Sequence, residues 1–147
     1  MKFAIQIPFV EHLGFELLEF LGGRSQIAVD MRHELTNSWG VAHGGLLMTL
    51  LDVAMAHAAR SPATEGAQAY PGVVTIEMKT SFMRPAEGRL VAHGLLLQRT
   101  ATLAFTEGRV LDAAGTLVTH GTGTFKYLHG LPSGNDGRRI QKLNASD

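Results

Sequence analysis

The sequence predicts an α+β domain in which a mainly antiparallel β-sheet wraps around one long helix. Three observations carry this expectation. The chain has 147 residues, the size of one domain able to bury a full core. Only residues 44–60 read as a long helix. Its apolar residues (Leu46, Leu47, Leu50, Leu51, Val53, Ala54, Met55) run nearly all the way round, so the helix is enclosed on most sides. Two strand-like segments precede it and four follow, and a single helix cannot supply the repeated crossovers of a parallel sheet.

Taken in order, residues 4–13 lead in as a short helix or turn. Segments 15–21 and 24–34 alternate as strands, with Gly22-Gly23 as their hairpin turn. Residues 35–42, with Asn37 and Gly40, form a loop ahead of the helix. Residues 61–72, "SPATEGAQAYPG", are a loop rich in breakers. Segment 73–83 alternates, with Val74, Ile76, Met78 and Phe82 expected on one face and Thr75, Glu77, Lys79 and Ser81 on the other. Strands at 89–99, 102–112 and 116–128 complete the sheet. There is no internal repeat and no domain boundary, so residues 1–128 are expected to form one domain. The segment 129–147 is polar and rich in Gly, Ser and Asn, and is expected to be a flexible tail.

Composition narrows the function. Lys plus Arg and Asp plus Glu both number 13, so no net charge draws the chain to nucleic acid or an anionic membrane. The residues are 45% hydrophobic, as expected if a subunit interface is buried as well as a core. There is no cysteine, which excludes disulfides, thiolate metal sites and a cysteine nucleophile, and fits a reducing cytoplasm. Gln6, Glu11, Glu16 and Glu19 interrupt the N-terminal apolar residues, so no signal peptide is expected. No apolar run reaches the roughly 18 residues of a membrane span.

Asp52 stands out, because it lies inside the apolar helix between Leu51 and Val53. An ionised carboxylate buried without partners is expensive, so it is paired, protonated or placed where a site opens. Positions 48, 49, 55 and 56 hold Met, Thr, Met and Ala, so no cation stands at helical spacing. The group therefore belongs at the edge of a cavity or an interface, or is bonded to backbone or a distant arginine. His43-Gly44-Gly45 stands where the helix pattern begins. A helix start presents unpaired N–H groups, and glycine lets a ligand approach them, which suits negative charge developing on a carbonyl oxygen. Taken alone, a glycine pair at a helix start reads first as a simple turn. Gly44 and Asp52 lie about 12 Å apart along a helix axis, too far to serve one carbonyl from one chain. A homodimer with antiparallel central helices would bring the carboxylate of one subunit to the helix start of the other.

The pattern N-x-x-G-x-x-H-G-G-x(6)-D, here Asn37, Gly40, His43, Gly44, Gly45 and Asp52, resembles that of the hotdog-fold acyl-CoA thioesterases of the PaaI, phenylacetate-degradation type, in the 4-hydroxybenzoyl-CoA thioesterase superfamily. The resemblance extends over residues 10–128, including "GVVTIEMKTSFMRPA" and "TATLAFTEGRVLDAAGTLVTHGTGTF". It implies a hotdog fold and hydrolysis of an acyl- or aryl-CoA thioester to free acid and CoA. It implies that Asp52 is the general base or nucleophile and that the Gly44 N–H polarises the thioester carbonyl. Asn37 would help position the carbonyl or the water, and His43 would play a structural or secondary part. Thr75 would orient the water near the carboxylate. The resemblance also implies a homodimer with shared active sites, commonly paired into a homotetramer.

No metal is expected, since the histidines show no metal-ligand spacing. No cofactor is expected either, coenzyme A being part of the substrate. Gly45 and Trp39 are candidates for the acyl site, and Arg84, Arg99 and Lys126 for the CoA phosphates, because a neutral protein needs local cations to hold a polyanion. Arg138, Arg139 and Lys142 in the tail are expected to be solvated. Two other readings stay open: a hotdog hydratase or dehydratase on acyl thioesters, and a non-catalytic acyl-CoA-binding module.

Overall fold

The computed structural model describes residues 1–128. The anticipated tail, with Arg138, Arg139 and Lys142, lies outside the described residues. The elements in chain order are α1 (Pro8–Leu13), β1 (Glu16–Leu21), β2 (Arg24–Asp30), a 3-10 turn (His33–Leu35), α2 (Gly44–Arg60), β3 (Gly72–Phe82), β4 (Arg89–Arg99), β5 (Leu103–Leu111) and β6 (Leu117–Leu128). The six strands form one sheet in the order β1-β2-β4-β5-β6-β3, every pairing antiparallel. The expected fold class is therefore the observed one. No described helix is long and apolar enough to cross a membrane.

The hairpin between β1 and β2 turns on Gly22 and Gly23, both at positive φ (62° and 77°), as a two-residue turn of the primed type requires. Segment 24–34 does not run as one strand. The ladder ends at Asp30, and the chain turns away through His33–Leu35, held by Arg32 donating to the carbonyls of Leu13 and His12.

Helix α2 packs against the concave face of the sheet, with Leu50, Leu51, Ala54, Met55, Ala58 and Ala59 fully buried. The helix can approach this closely because a row of small residues crosses the sheet beneath it. Ser25, Gly94, Gly108, Gly121 and Thr80 are successive cross-strand partners. A Cβ on Gly94 would overlap the Ala54 carbonyl, and one on Gly108 would lie 2.8 Å from a Leu51 methyl. Ser25 Oγ donates to that same Ala54 carbonyl at 2.6 Å.

The alternation expected in β3 is broken by a bulge. Thr75 pairs with Phe125 and Glu77 with Thr124, which leaves Ile76 unopposed. Before the bulge Val73 and Thr75 face α2, and after it Met78, Thr80 and Phe82 do. Val74 and Ile76 are thus not on the helix side, and Ile76 is 55% exposed. The extra residue slips the phase by one, which is how Thr75 comes to share a side with Met78.

Candidate active site

The solvent-facing stripe of α2 carries Gly44 and Gly45, then Met48 and Thr49, then Asp52 and Ala56, at steps of three and four residues. Strand β3 lies beside this stripe and runs opposite to it. Its Thr75 meets Asp52 and its Phe82 meets Gly44. Helix and strand thus share one seam, with the carboxylate towards one end and the helix start at the other.

At the first end, Thr75 Oγ1 donates to Asp52 Oδ1 at 2.6 Å. Burial against the apolar helix raises the Asp52 pKa above its ordinary 3.8, and the Thr75 hydrogen bond works against that rise. The partner that the helix itself lacks is thus supplied by β3. At the other end, His43 is the N-cap of α2. Its Nδ1 accepts from the Gly45 N–H at 2.9 Å, so the ring stands where a short polar side chain usually caps. With Gly45 engaged, the Gly44 N–H has no acceptor among the described residues and lies at the positive end of the helix dipole.

Asn37 holds the loop before the helix. Its Oδ1 accepts from the backbone N–H of Trp39 at 2.9 Å and of Val41 at 3.4 Å, which leaves the side-chain NH2 for any other contact. Trp39, on the same loop, is 87% exposed. Arg84 is exposed just beyond the Phe82 end of β3. Lys126 is exposed on β6 and points away from α2, alternating with the buried Phe125. Arg99 lies at the far end of α2 from Gly44. Its Nε donates to the Tyr127 hydroxyl at 2.8 Å and its Nη2 to the Ala59 carbonyl at 3.2 Å, with the guanidinium 3.5 Å above the Tyr70 ring. That cation closes the C-terminal end of the helix.

The structure thus brings Asp52 and Thr75 together, and His43, Gly44 and Gly45 together, with the two groups separated along one helix. Two residues near Gly44, Met48 and Phe82, are not among those expected from the sequence, where Phe82 reads only as an alternating strand residue. Met48 was legible, being four residues from both Gly44 and Asp52. His57 is a further buried titratable group on α2. Its ring packs edge-on against Phe3 and Phe20, Nδ1 donates to the Val53 carbonyl, and burial lowers its pKa to about 4, so it is a neutral core side chain. Among the described residues no group of three or more His, Asp or Glu side chains is placed to hold a metal ion. Two cavities lie elsewhere, one of about 520 Å³ between the N-terminal segment and β1.

A six-stranded antiparallel sheet wrapped round one long helix is the hotdog fold. Residues 40–119 match the thioesterase superfamily, and the chain belongs to it. A protein of Halobacterium salinarum, named provisionally as an esterase, is 32% identical over 76% of this chain and 84% of its own length. Among solved structures, a conserved protein of Pseudomonas aeruginosa superposes with a TM-score of 0.74 at 30% identity, over 85% of this chain and 97% of that one. A variant of the phenylacetic acid degradation protein PaaI from Thermus thermophilus gives 0.72 at 29% identity, over 83% of this chain and all of that one.

Proposed function

We propose that this protein hydrolyses the thioester of an acyl- or aryl-CoA, with each active site built from two subunits. The observation that carries this reading is the pairing of the Thr75–Asp52 hydrogen bond with an open Gly44 N–H along one face of α2. The thioester carbonyl would accept from Gly44 N–H, whose amide and helix dipole stabilise the oxyanion. Asp52 Oδ1 is engaged by Thr75, which leaves Oδ2 to take a proton from water. The water oxygen adds to the carbonyl carbon, the tetrahedral oxyanion collapses, and the C–S bond breaks. The proton passes to the departing CoA thiolate. A carboxylate with a raised pKa is the better proton acceptor for this step.

Gly44 and Asp52 of one chain stand about 12 Å apart along the helix. Because β3 is an edge strand antiparallel to α2, pairing two β3 edges about their middle would reverse the ends. Asp52 of the partner subunit would then face the Gly44 of this one. An eleven-residue edge strand with Ile76 exposed is itself a template for such pairing. Leu95 and Phe105, about 40% exposed on the outer face of the sheet, support the further pairing of two dimers. CoA enters as part of the substrate, with no separate cofactor. The cysteine-free composition supports a reducing, cytoplasmic setting.

Replacing Asp52 by Asn tests the assignment. We expect acyl-CoA hydrolysis, followed by release of free thiol, to fall by about 10²- to 10⁴-fold. Retention of near wild-type rate would remove Asp52 from the chemistry.

A further inference from the structure

We propose that Phe82 is the side chain that selects the acyl group, and that the site takes thioesters whose carbons next to the carbonyl are apolar. This deepens the hydrolase reading above and rests on it. Phe82 is the last residue of β3 and is 50% exposed. Its ring carbons Cε1 and Cζ lie 3.5 and 3.6 Å from where a Cβ on Gly44 would stand, so the ring packs against Gly44 at the helix start. A carbonyl oxygen on the Gly44 amide brings the first acyl carbons against the ring.

The backbone that carries the ring is fixed by the sheet. Phe82 pairs with Thr119, and the next two amides, Met83 and Arg84, both donate to the Val118 carbonyl at 2.9 and 3.3 Å. Met48, one turn beyond Gly44 and 39% exposed, continues this apolar surface along the helix. Between Gly44 and Asp52 the helix carries no charged side chain. The one polar side chain of that stretch, Thr49, already donates to the Gly45 carbonyl, so a charged group next to the carbonyl would lose water against the helix without meeting an opposite charge on it. An aliphatic chain or an aryl ring gains contact with Phe82 and Met48.

The test is a rate profile of the full chain on butanoyl-, octanoyl-, phenylacetyl- and succinyl-CoA, for wild type, Phe82→Ala and Phe82→Leu. Wild type should show kcat/KM at least about tenfold higher for the three apolar thioesters than for succinyl-CoA. Phe82→Ala should lower the apolar values by about tenfold or more while succinyl-CoA stays within about twofold, and Phe82→Leu should fall between. A uniform change across all four, or loss of the dimer in place of a change in the ratios, overturns the role of Phe82. If wild type hydrolyses none of the four, the hydrolase reading itself fails and this proposal goes with it. Hydrolysis with ratios that both variants leave untouched overturns the Phe82 assignment alone.

Discussion

Asp52 is under two opposed influences, and their balance is measurable. Desolvation by the apolar helix favours the neutral acid, and the hydroxyl of Thr75 favours the carboxylate. If ionised Asp52 is the base, activity must fall as pH drops through its pKa. The acid limb of the kcat/KM profile should therefore lie above the ordinary carboxylate value of 3.8. Thr75→Val keeps the shape and removes the donor. It should move that limb to higher pH and reduce the rate most on the acid side, as read from kcat/KM between about pH 4 and 8. A limb that stays in place would mean that Thr75 does not act on the reacting carboxylate. His43 belongs to the same scale: its role at Gly45 is that of a cap, which leaves Gly44 as the open amide.

Helix α2 was readable as an element, residues 44–60 being both the expected and the observed span. An apolar run framed by Gly44-Gly45 and Ser61-Pro62 leaves little choice. What periodicity does not reveal is how near the sheet the helix lies. Gly94, Gly108 and Gly121 are far apart in the chain, and only the β4-β5-β6 register aligns them into a track. Gly94→Ala would force its Cβ into the Ala54 carbonyl. We expect a loss of about 2–3 kcal/mol, seen as a lower urea midpoint with an unchanged slope. Exposed Gly115→Ala is not an equivalent control, because Gly115 has a positive φ of 78°. Strand β3 failed in the opposite way: its alternation looked regular, yet the bulge at Ile76 reverses the faces midway. No local residue signals that bulge. It follows from pairing with β6.

For the whole molecule, the separation of Gly44 and Asp52 makes a prediction about stoichiometry. Gly44 is the first residue of α2, where proline is tolerated and removes the N–H. Asp52→Asn and Gly44→Pro should each lower turnover by about a hundredfold or more alone. In a mixed population of dimers, half are hybrids, and each hybrid has one site with both defects and one with neither. Co-refolding equal amounts should then restore about a quarter of wild-type activity. No recovery, with hybrids demonstrated by mass, would place each site within one chain.

The sequence by itself determined the class of the fold, the single enclosed helix, the hairpin at Gly22-Gly23 and the residues His43-Gly44-Gly45 and Asp52 as the place to look. These depend on local patterns: apolar periodicity, turn residues and a charge where none is expected. Only the tertiary structure decided that β3 is the edge strand, that Thr75 is the partner of Asp52, that Arg99 is tied to the end of α2, and that Phe82 stands over Gly44. Each of these joins residues distant in the chain. Strand order and register bring them together, and a one-residue slip at a bulge is enough to change which side chain faces the site.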